Sequence, residues 1–351
     1  MAGGSGTRFW PESRRCKPKQ LLNIMGDGTM IRATVLRILQ EIPFERMLII
    51  TAASHADEIR VQVPELNGNQ IVAEPMGRNT APCIALAAYK LHKIDPDGVM
   101  AVLPADHVIE KEREFRTVLR IATEAASMGD HLITFGVRPN RPETGYGYIK
   151  LGPVRLELQR AEFFQVERFV EKPCLSLAQE YLSAGDYLWN SGMFVWKIKS
   201  IIKAFEQFLP SVARSMEEIA PALNTPLESA VVAKTYSMIE PISIDYGIME
   251  KAGNVLTMPV DVQWSDVGSW ASLEDVWEKD QCCNATKGRV MFIEGKSCIV
   301  SSPHKITALI GVEDLIVVDT PDALMICRKD RAQDVKRLQE LLEEQGYEDL
   351  L

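Results

Sequence analysis

An α/β fold built on a mostly parallel sheet is predicted by three features of this 351-residue sequence. Short apolar runs alternate with helical patterns through the first half, polar residues stand where those runs end, and a glycine-rich turn opens the series. Strands separated by helices imply βαβ units, and ligands of such folds bind beyond the carboxyl ends of the strands. Met30, Ile31, Val35, Ile38, Leu39 and Ile42 recur at helical spacing, and residues 47–51 then read as a buried strand. Residues 71–73 form the next strand and run into Glu74-Pro75; residues 80–91 are a helix with Pro82 in its first turn. Residues 99–103 end at Pro104-Ala105-Asp106-His107, and residues 132–137 make a further strand.

The opening turn reads Ala2-Gly3-Gly4-Ser5-Gly6-Thr7-Arg8, with Lys17-Pro18-Lys19-Gln20-Leu21-Leu22 downstream. Gly3, Gly4 and Gly6 let backbone N–H groups approach phosphate oxygens, and Arg8 and Lys19 neutralise phosphoryl charge, as a nucleoside triphosphate requires. A Walker loop would need Lys and then Ser or Thr after the last glycine, and a dinucleotide fingerprint would need glycine where Phe9 stands. A glycine cluster by itself is equally compatible with a plain flexible turn.

Composition narrows the class. A net charge of −9 argues against nucleic acid as a partner, because a duplex-binding face is basic. Seven cysteines without a CxxC pair fit a reducing cytoplasm better than a disulfide framework or a zinc site. No run approaches the roughly 18 apolar residues of a membrane span, so a soluble, cytoplasmic protein is expected. Past residue 138 the elements become shorter and aromatic, a substrate-binding elaboration of the same domain. After Asn284, residues 289–293, 297–301, 306–310, 315–319 and 323–327 are β-type runs at regular spacing, which suggests a small β-solenoid. A closing helix from Asp330, its expected N-cap, carries Val335, Leu338, Leu341 and Leu342 on one face.

Eight blocks in order then carry a resemblance: residues 2–11, 17–22, 74–82, 104–107, Phe169-Val170-Glu171-Lys172-Pro173, Trp189-Asn190-Ser191-Gly192-Met193-Phe194, residues 243–251 and 264–270. The chain resembles the sugar-nucleotide pyrophosphorylases, most closely the mannose-1-phosphate guanylyltransferases, which make GDP-mannose from GTP and mannose 1-phosphate. The resemblance implies a Rossmann-like nucleotidyltransferase domain over residues 1–283 and a small left-handed β-helix domain with a terminal helix over 284–351. It also implies a homodimer. Relatives with a fused isomerase carry a further domain for which this sequence is too short, so a monofunctional enzyme is expected.

The resemblance and the chemistry of the side chains assign the site together. Asp106 and Asp266 suit Mg²⁺, a hard cation that takes one or two carboxylates plus phosphate oxygens and water; alone, each would be read as a turn cap. Gly3, Gly4, Ser5, Gly6, Thr7, Arg8 and Lys19 are expected on the triphosphate, with Arg8, Lys19 and Lys172 as the catalytic cations. Lys172 suits the sugar phosphate, although a solvated surface lysine is the ordinary alternative. Glu171, Asn190 and Asp245 offer partners for mannose hydroxyls, and Gly145 and Gly147 admit the ring. Glu74 is expected to accept from N1–H and N2–H₂ of guanine; Asn79 and Thr80 either contact base or ribose or cap the helix that follows. Trp189, Phe194 and Trp270 read as walls of the site.

Two other readings stay open, a pyrophosphorylase for a different nucleotide sugar and a non-catalytic regulatory homologue. The family also carries apolar residues before the glycine loop that form the central strand, whereas here Met1-Ala2 leads straight into Gly3. A longer natural protein with an upstream Val/Ile-rich segment is therefore expected to be more stable.

Overall fold

The apolar runs of the first half become strands close to their expected limits. In the computed structural model, which describes residues 1–4, 6–26 and 28–351, the strands begin with β1 (Ile49–Ala52), β2 (Ile71–Glu74), β3 (Val99–Val102), β4 (Val108–Ile109) and β5 (Leu132–Val137). The middle of the chain adds β6 (Gly147–Leu158), β7 (Ala161–Glu171), β8 (Tyr187–Lys197), β9 (Val255–Val260) and β10 (Trp264–Ser265). β11 (Ala285–Ile293), β12 (Ile299–Ile310), β13 (Leu315–Asp319) and β14 (Leu324–Arg328) follow. The helices are α1 (Met30–Ile38), α2 (Ala56–Gln62), α3 (Thr80–His92), α4 (Glu112–Met128), α5 (Leu175–Ala184), α6 (Ile198–Phe208), α7 (Pro210–Ile219), α8 (Glu228–Tyr236) and α9 (Val335–Glu344). Among the described residues no helix is long and apolar enough to cross a membrane.

Two units emerge: Met1–Gly3, Arg37–Pro104 and Ile109–Trp264 in the first, Gly4–Leu36, Ala105–Val108 and Ser265–Leu351 in the second. In the first, β1 and β2 pair in parallel, and a larger sheet runs β3-β8-β5-β9-β7-β6. β5 and β9 are parallel, Leu132 opposite Val255, while β8 lies antiparallel between β3 and β5. The α/β class stands, and the aromatic region past residue 138 supplies the antiparallel members. β8 is buried on both faces along most of its length; such a run reads as an interior strand, and periodicity says nothing about its direction. Helix α3, buried from Ala81 to Lys90, packs with α6 and α7 in the main core through Ile84, Leu86, Phe205 and Met216.

Met1 and Ala2 hydrogen-bond to β1 and to Leu103, the residue after β3. The Ala2 N–H donates to Ile50 O at 2.8 Å, the Thr51 hydroxyl donates to Ala2 O at 2.9 Å, and the Met1 ammonium donates to Leu103 O at 2.8 Å. Beyond this contact, among the described residues, β1 pairs with β2 alone and β3 with β8 alone.

In the second unit β11, β12 and β13 are parallel, and β14 closes the sheet antiparallel to β13. The runs expected at 297–301 and 306–310 merge into β12, whose register shifts where Gly288 faces Ser302. Its core joins Phe9, Trp10, Leu22 and Met30 to Ala285, Ile299, Ile316, Met325 and Val335. Two expectations for the last helix need correction. A short 3-10 turn over Lys329–Asp334 comes first, so Asp334 stands at the N-cap of α9, while Asp330 pairs with Arg328 at 2.7 Å. Leu338 and Leu342 pack on the core as expected, but Leu341 is 43% exposed because it lies off that narrow stripe.

Candidate active site

The phosphate-directed residues gather within the second unit. Gly6 has φ 60°, and a Cβ there would stand 2.5 Å from the Lys19 backbone nitrogen, so conformation and space both demand glycine. Thr7 and Arg8 belong to the 3-10 turn that follows, and Arg8 Nη1 donates to Gly268 O at 3.4 Å. Lys19 is only 6% exposed, a burial that an ammonium tolerates only with partners. Its Nζ donates to Asp106 Oδ2 at 2.9 Å and to the Asp266 carbonyl. His107 Nε2 lies 4.0 Å from Asp106 Oδ1. Burial pushes the Asp106 carboxyl up, but Lys19 and His107 outweigh it and hold the group below the usual carboxylate range. The Asp266 carboxylate lies over Gly268, where a Cβ would meet Oδ2 at 3.0 Å. Val267, between them, is fully buried at φ 45°, a strained conformation for a β-branched residue.

Glu74 closes β2 in the first unit and is 5% exposed. The Tyr236 hydroxyl donates to its Oε1, and a Cβ on Gly3 would stand 3.5 Å from its Oε2. Burial raises the Glu74 pKa against the opposing effects of Tyr236 and the N-terminal ammonium. Oε1 thus already accepts one hydrogen bond from a protein group, and lone pairs on both oxygens remain for further donors. Asn79 has φ 68°, and its Oδ1 caps α3 by accepting from Thr80 N–H at 2.8 Å. The Thr80 hydroxyl accepts from Ile244 N–H at 2.9 Å, and Ala81 N–H donates to Ile242 O at 3.1 Å.

The polyol-directed residues also meet within the first unit. Gly147 pairs with Glu171 across β6 and β7, and a Cβ at Gly147 would strike Glu171 Oε2 at 2.6 Å. Gly145 N–H donates to Glu143 Oε1 at 3.1 Å, so that amide is engaged. Lys172 has φ 48°, and its Nζ donates to Glu171 Oε1 at 2.6 Å. Asn190 Nδ2 donates to Asp245 Oδ1 at 3.0 Å. Asp245 opens a π-helical turn over Asp245–Met249, a geometry frequent at functional sites. Burial, helped by the negative charge of Glu171, pushes its pKa up to about 7.

The nucleotidyl transferase family model matches residues 1–282, and the MannoseP isomerase/GMP-like beta-helix domain model matches residues 288–342. Mannose-1-phosphate guanylyltransferase of Klebsiella pneumoniae is 38% identical over 98% of this chain and 73% of its own length. The chain belongs to the mannose-1-phosphate guanylyltransferase family. The alginate biosynthesis protein AlgA of Pseudomonas aeruginosa is likewise 38% identical, over 99% of this chain and 72% of its own. A crystal structure described as a mannose-1-phosphate geranyltransferase from Thermus thermophilus superposes with a TM-score of 0.88 at 33% identity, covering 98% of each chain.

Most of the family's expected residues therefore fall into local clusters: Arg8, Lys19, Asp106 and Asp266 in one, Glu171, Lys172, Asn190 and Asp245 in another. Ser5 lies outside the described residues. Sequence reasoning assigned no role to Tyr236, which is buried against Glu74 from a distant helix and has no local signature. Thr134 was also missed, although a hydroxyl inside the apolar run of β5 is a visible anomaly.

Proposed function

We propose that this chain transfers GMP from GTP to α-D-mannose 1-phosphate, releasing pyrophosphate and forming GDP-mannose. The observation that carries this reading is the second cluster: a lysine suited to a phosphate is paired with the Glu171 carboxylate, and a second carboxylate, Asp245, near enough to feel both charges, is paired with the Asn190 amide, a set suited to the hydroxyls of a hexose. In the proposed step the sugar phosphate oxygen attacks the α-phosphorus of GTP, that P–O bond forms, and the bond to the β-phosphate oxygen breaks. A phosphate monoester is largely dianionic at neutral pH, so no general base is needed, and positioning with charge neutralisation supplies the catalysis. Lys172 holds the attacking phosphate. Arg8 and the amides of the glycine loop bind the triphosphate, and Lys19, with two of its three donors engaged, keeps one for a phosphate oxygen. Glu74 accepts from guanine, and Gly147 admits the hexose.

Asp106 and Asp266 fit a magnesium site by their chemistry. They are hard oxygen donors, and a side-chain oxygen of one and the carbonyl of the other already gather round a single cation, the Lys19 ammonium. Asp106 and Asp266 would hold Mg²⁺, which would supply charge neutralisation on the triphosphate and on the leaving pyrophosphate.

We place the catalytic domain at residues 1–283 and the β-helix domain at 284–351, and propose a cytoplasmic homodimer. An apolar outer face of β11 and β12, with Met291, Ile293, Ile306 and Ile310 each at least 60% exposed, supports a second copy as partner. The function is tested by Mg²⁺-dependent pyrophosphate release from GTP with mannose 1-phosphate, run against other nucleotides and glucose 1-phosphate. Release only with another pair of substrates would overturn the reading. Asp106→Asn and Asp266→Asn should each lower turnover by about 10²-fold or more with the fold intact, as loss of charge stabilisation at a reacting centre does; normal turnover in either removes that residue from the site.

A further inference from the structure

Asn190 and Asp245 come from β8 and from a loop more than fifty residues later, and their relative placement depends on what stands behind each. Thr134, in β5 and fully buried, stands behind Asn190. Its hydroxyl lies 3.1 Å from Asn190 Oδ1 and 3.1 Å from Met193 O, and Gly192 N–H donates to the same Oδ1 at 3.2 Å. Gly192 N–H, joined by the single Thr134 proton when it turns to Oδ1 rather than to Met193 O, fixes which way the amide points, so Nδ2 is directed to Asp245 Oδ1 with one proton left over.

Asp245 is held through its neighbour. Ile244, 1% exposed, donates its N–H to Thr80 Oγ1 at 2.9 Å. On either side, Ile242 N–H donates to Arg78 O at 3.2 Å and Ala81 N–H to Ile242 O at 3.1 Å, so the approach to Asp245 is stitched to the first turn of α3. Backbone carbonyls supply two of these three acceptors, and the third is a side chain. A buried N–H deprived of its acceptor must find another, and the turn beginning at Asp245 is what shifts when it does.

We propose that Thr134 and Thr80 are positioning residues for the hexose, acting through Asn190 and Asp245 and touching no substrate. This rests on the assignment of Asn190 and Asp245 to the mannose hydroxyls. It gives Thr80, which sits in a segment whose neighbour Glu74 is directed at guanine, a role in sugar recognition. The two hydroxyls act at different points of one hydrogen-bonded line, so either loss loosens the same site.

The test is steady-state kinetics of Thr134→Val and Thr80→Val, near-isosteric changes that delete only the hydrogen-bonding oxygen, with each serine variant as the rescue. KM for mannose 1-phosphate should rise about tenfold, the effect of one lost hydrogen bond, while KM for GTP stays within about twofold. Serine at either position should restore the sugar KM. An equal rise in both KM values, or a fall in kcat with unchanged sugar KM, overturns the proposal, since a general loosening of the fold or contact with the nucleotide gives those results. Should Thr134→Val melt below the assay temperature, Thr80→Val, at a half-buried position in the first turn of α3, carries the test with the same criteria. Wild-type protein that does not use mannose 1-phosphate at all overturns the functional assignment itself; active wild type with unshifted variants overturns only the positioning role.

Discussion

Asp245, assigned to the hexose in the proposed function, carries a cost in stability at high pH. Its pKa stands near 7 because burial and then the charge of Glu171 both oppose ionisation. The folded group therefore binds its proton more tightly than the unfolded one, and the stability gained is full below pH ~4, the ordinary Asp value, and lost as pH rises through about 7. Asp245→Asn should accordingly raise Tm relative to wild type at pH 8 and give no gain at pH 4, while weakening mannose 1-phosphate use. Thermal melts across that range check it, and a parallel offset at every pH would contradict the linkage. Glu74 and Tyr236 form the other telling pair. The Tyr236 hydroxyl draws the Glu74 pKa back down against its burial, so Tyr236→Phe should raise it further. The pH below which KM for GTP climbs should then move upward relative to wild type in a KM–pH profile; an unmoved profile would mean that Tyr236 does not tune a carboxylate read by guanine.

At the scale of elements, β1 and β3 are edge strands of two separate sheets in the first unit. Among the described residues β1 and β3 each pair with one strand, and Met1 and Ala2 hydrogen-bond to β1 and to Leu103, the residue after β3. Unpaired backbone groups at such edges cost stability, and a strand that pairs with both would satisfy them. A version carrying a short Val/Ile-rich segment before Met1 should melt several degrees higher and turn over faster, measured by calorimetry and by pyrophosphate release. Identical values for the two proteins would show that the stub of two residues is sufficient.

For the whole molecule, the informative feature is that the glycine-loop segment and the β-solenoid share one core. Phe9, Trp10 and Leu22 pack with Ala285, Ile299, Ile316 and Val335, and the Trp10 indole donates to Leu350 O at 2.8 Å. Removing residues 284–351 strips apolar partners from the segment that carries Arg8 and Lys19, at roughly 25 cal/mol for each Å² re-exposed. The truncated protein should lose GTP binding by calorimetry and show a lower, broader thermal transition. Retained GTP affinity would mean that the loop keeps its shape without the solenoid.

Residues 49–52, 71–74, 80–92 and 132–137 were legible because periodicity and flanking polar residues report local backbone state, and the eight ordered blocks were enough to name the family. Lys19, Asp106, Glu171, Lys172, Asn190 and Asp245 could be singled out as candidates because they lie in the blocks that carry the resemblance and their residue types suit phosphate, cation and polyol chemistry. What those side chains do to one another was decided by tertiary structure. The antiparallel insertion of β8 beside β5, the clasp of Tyr236 on Glu74 and the hydroxyls of Thr134 and Thr80 behind Asn190 and Ile244 all join residues at least 52 positions apart. Hydrogen bonds and burial act through space, and a one-dimensional pattern records the groups that can make them without recording which groups meet.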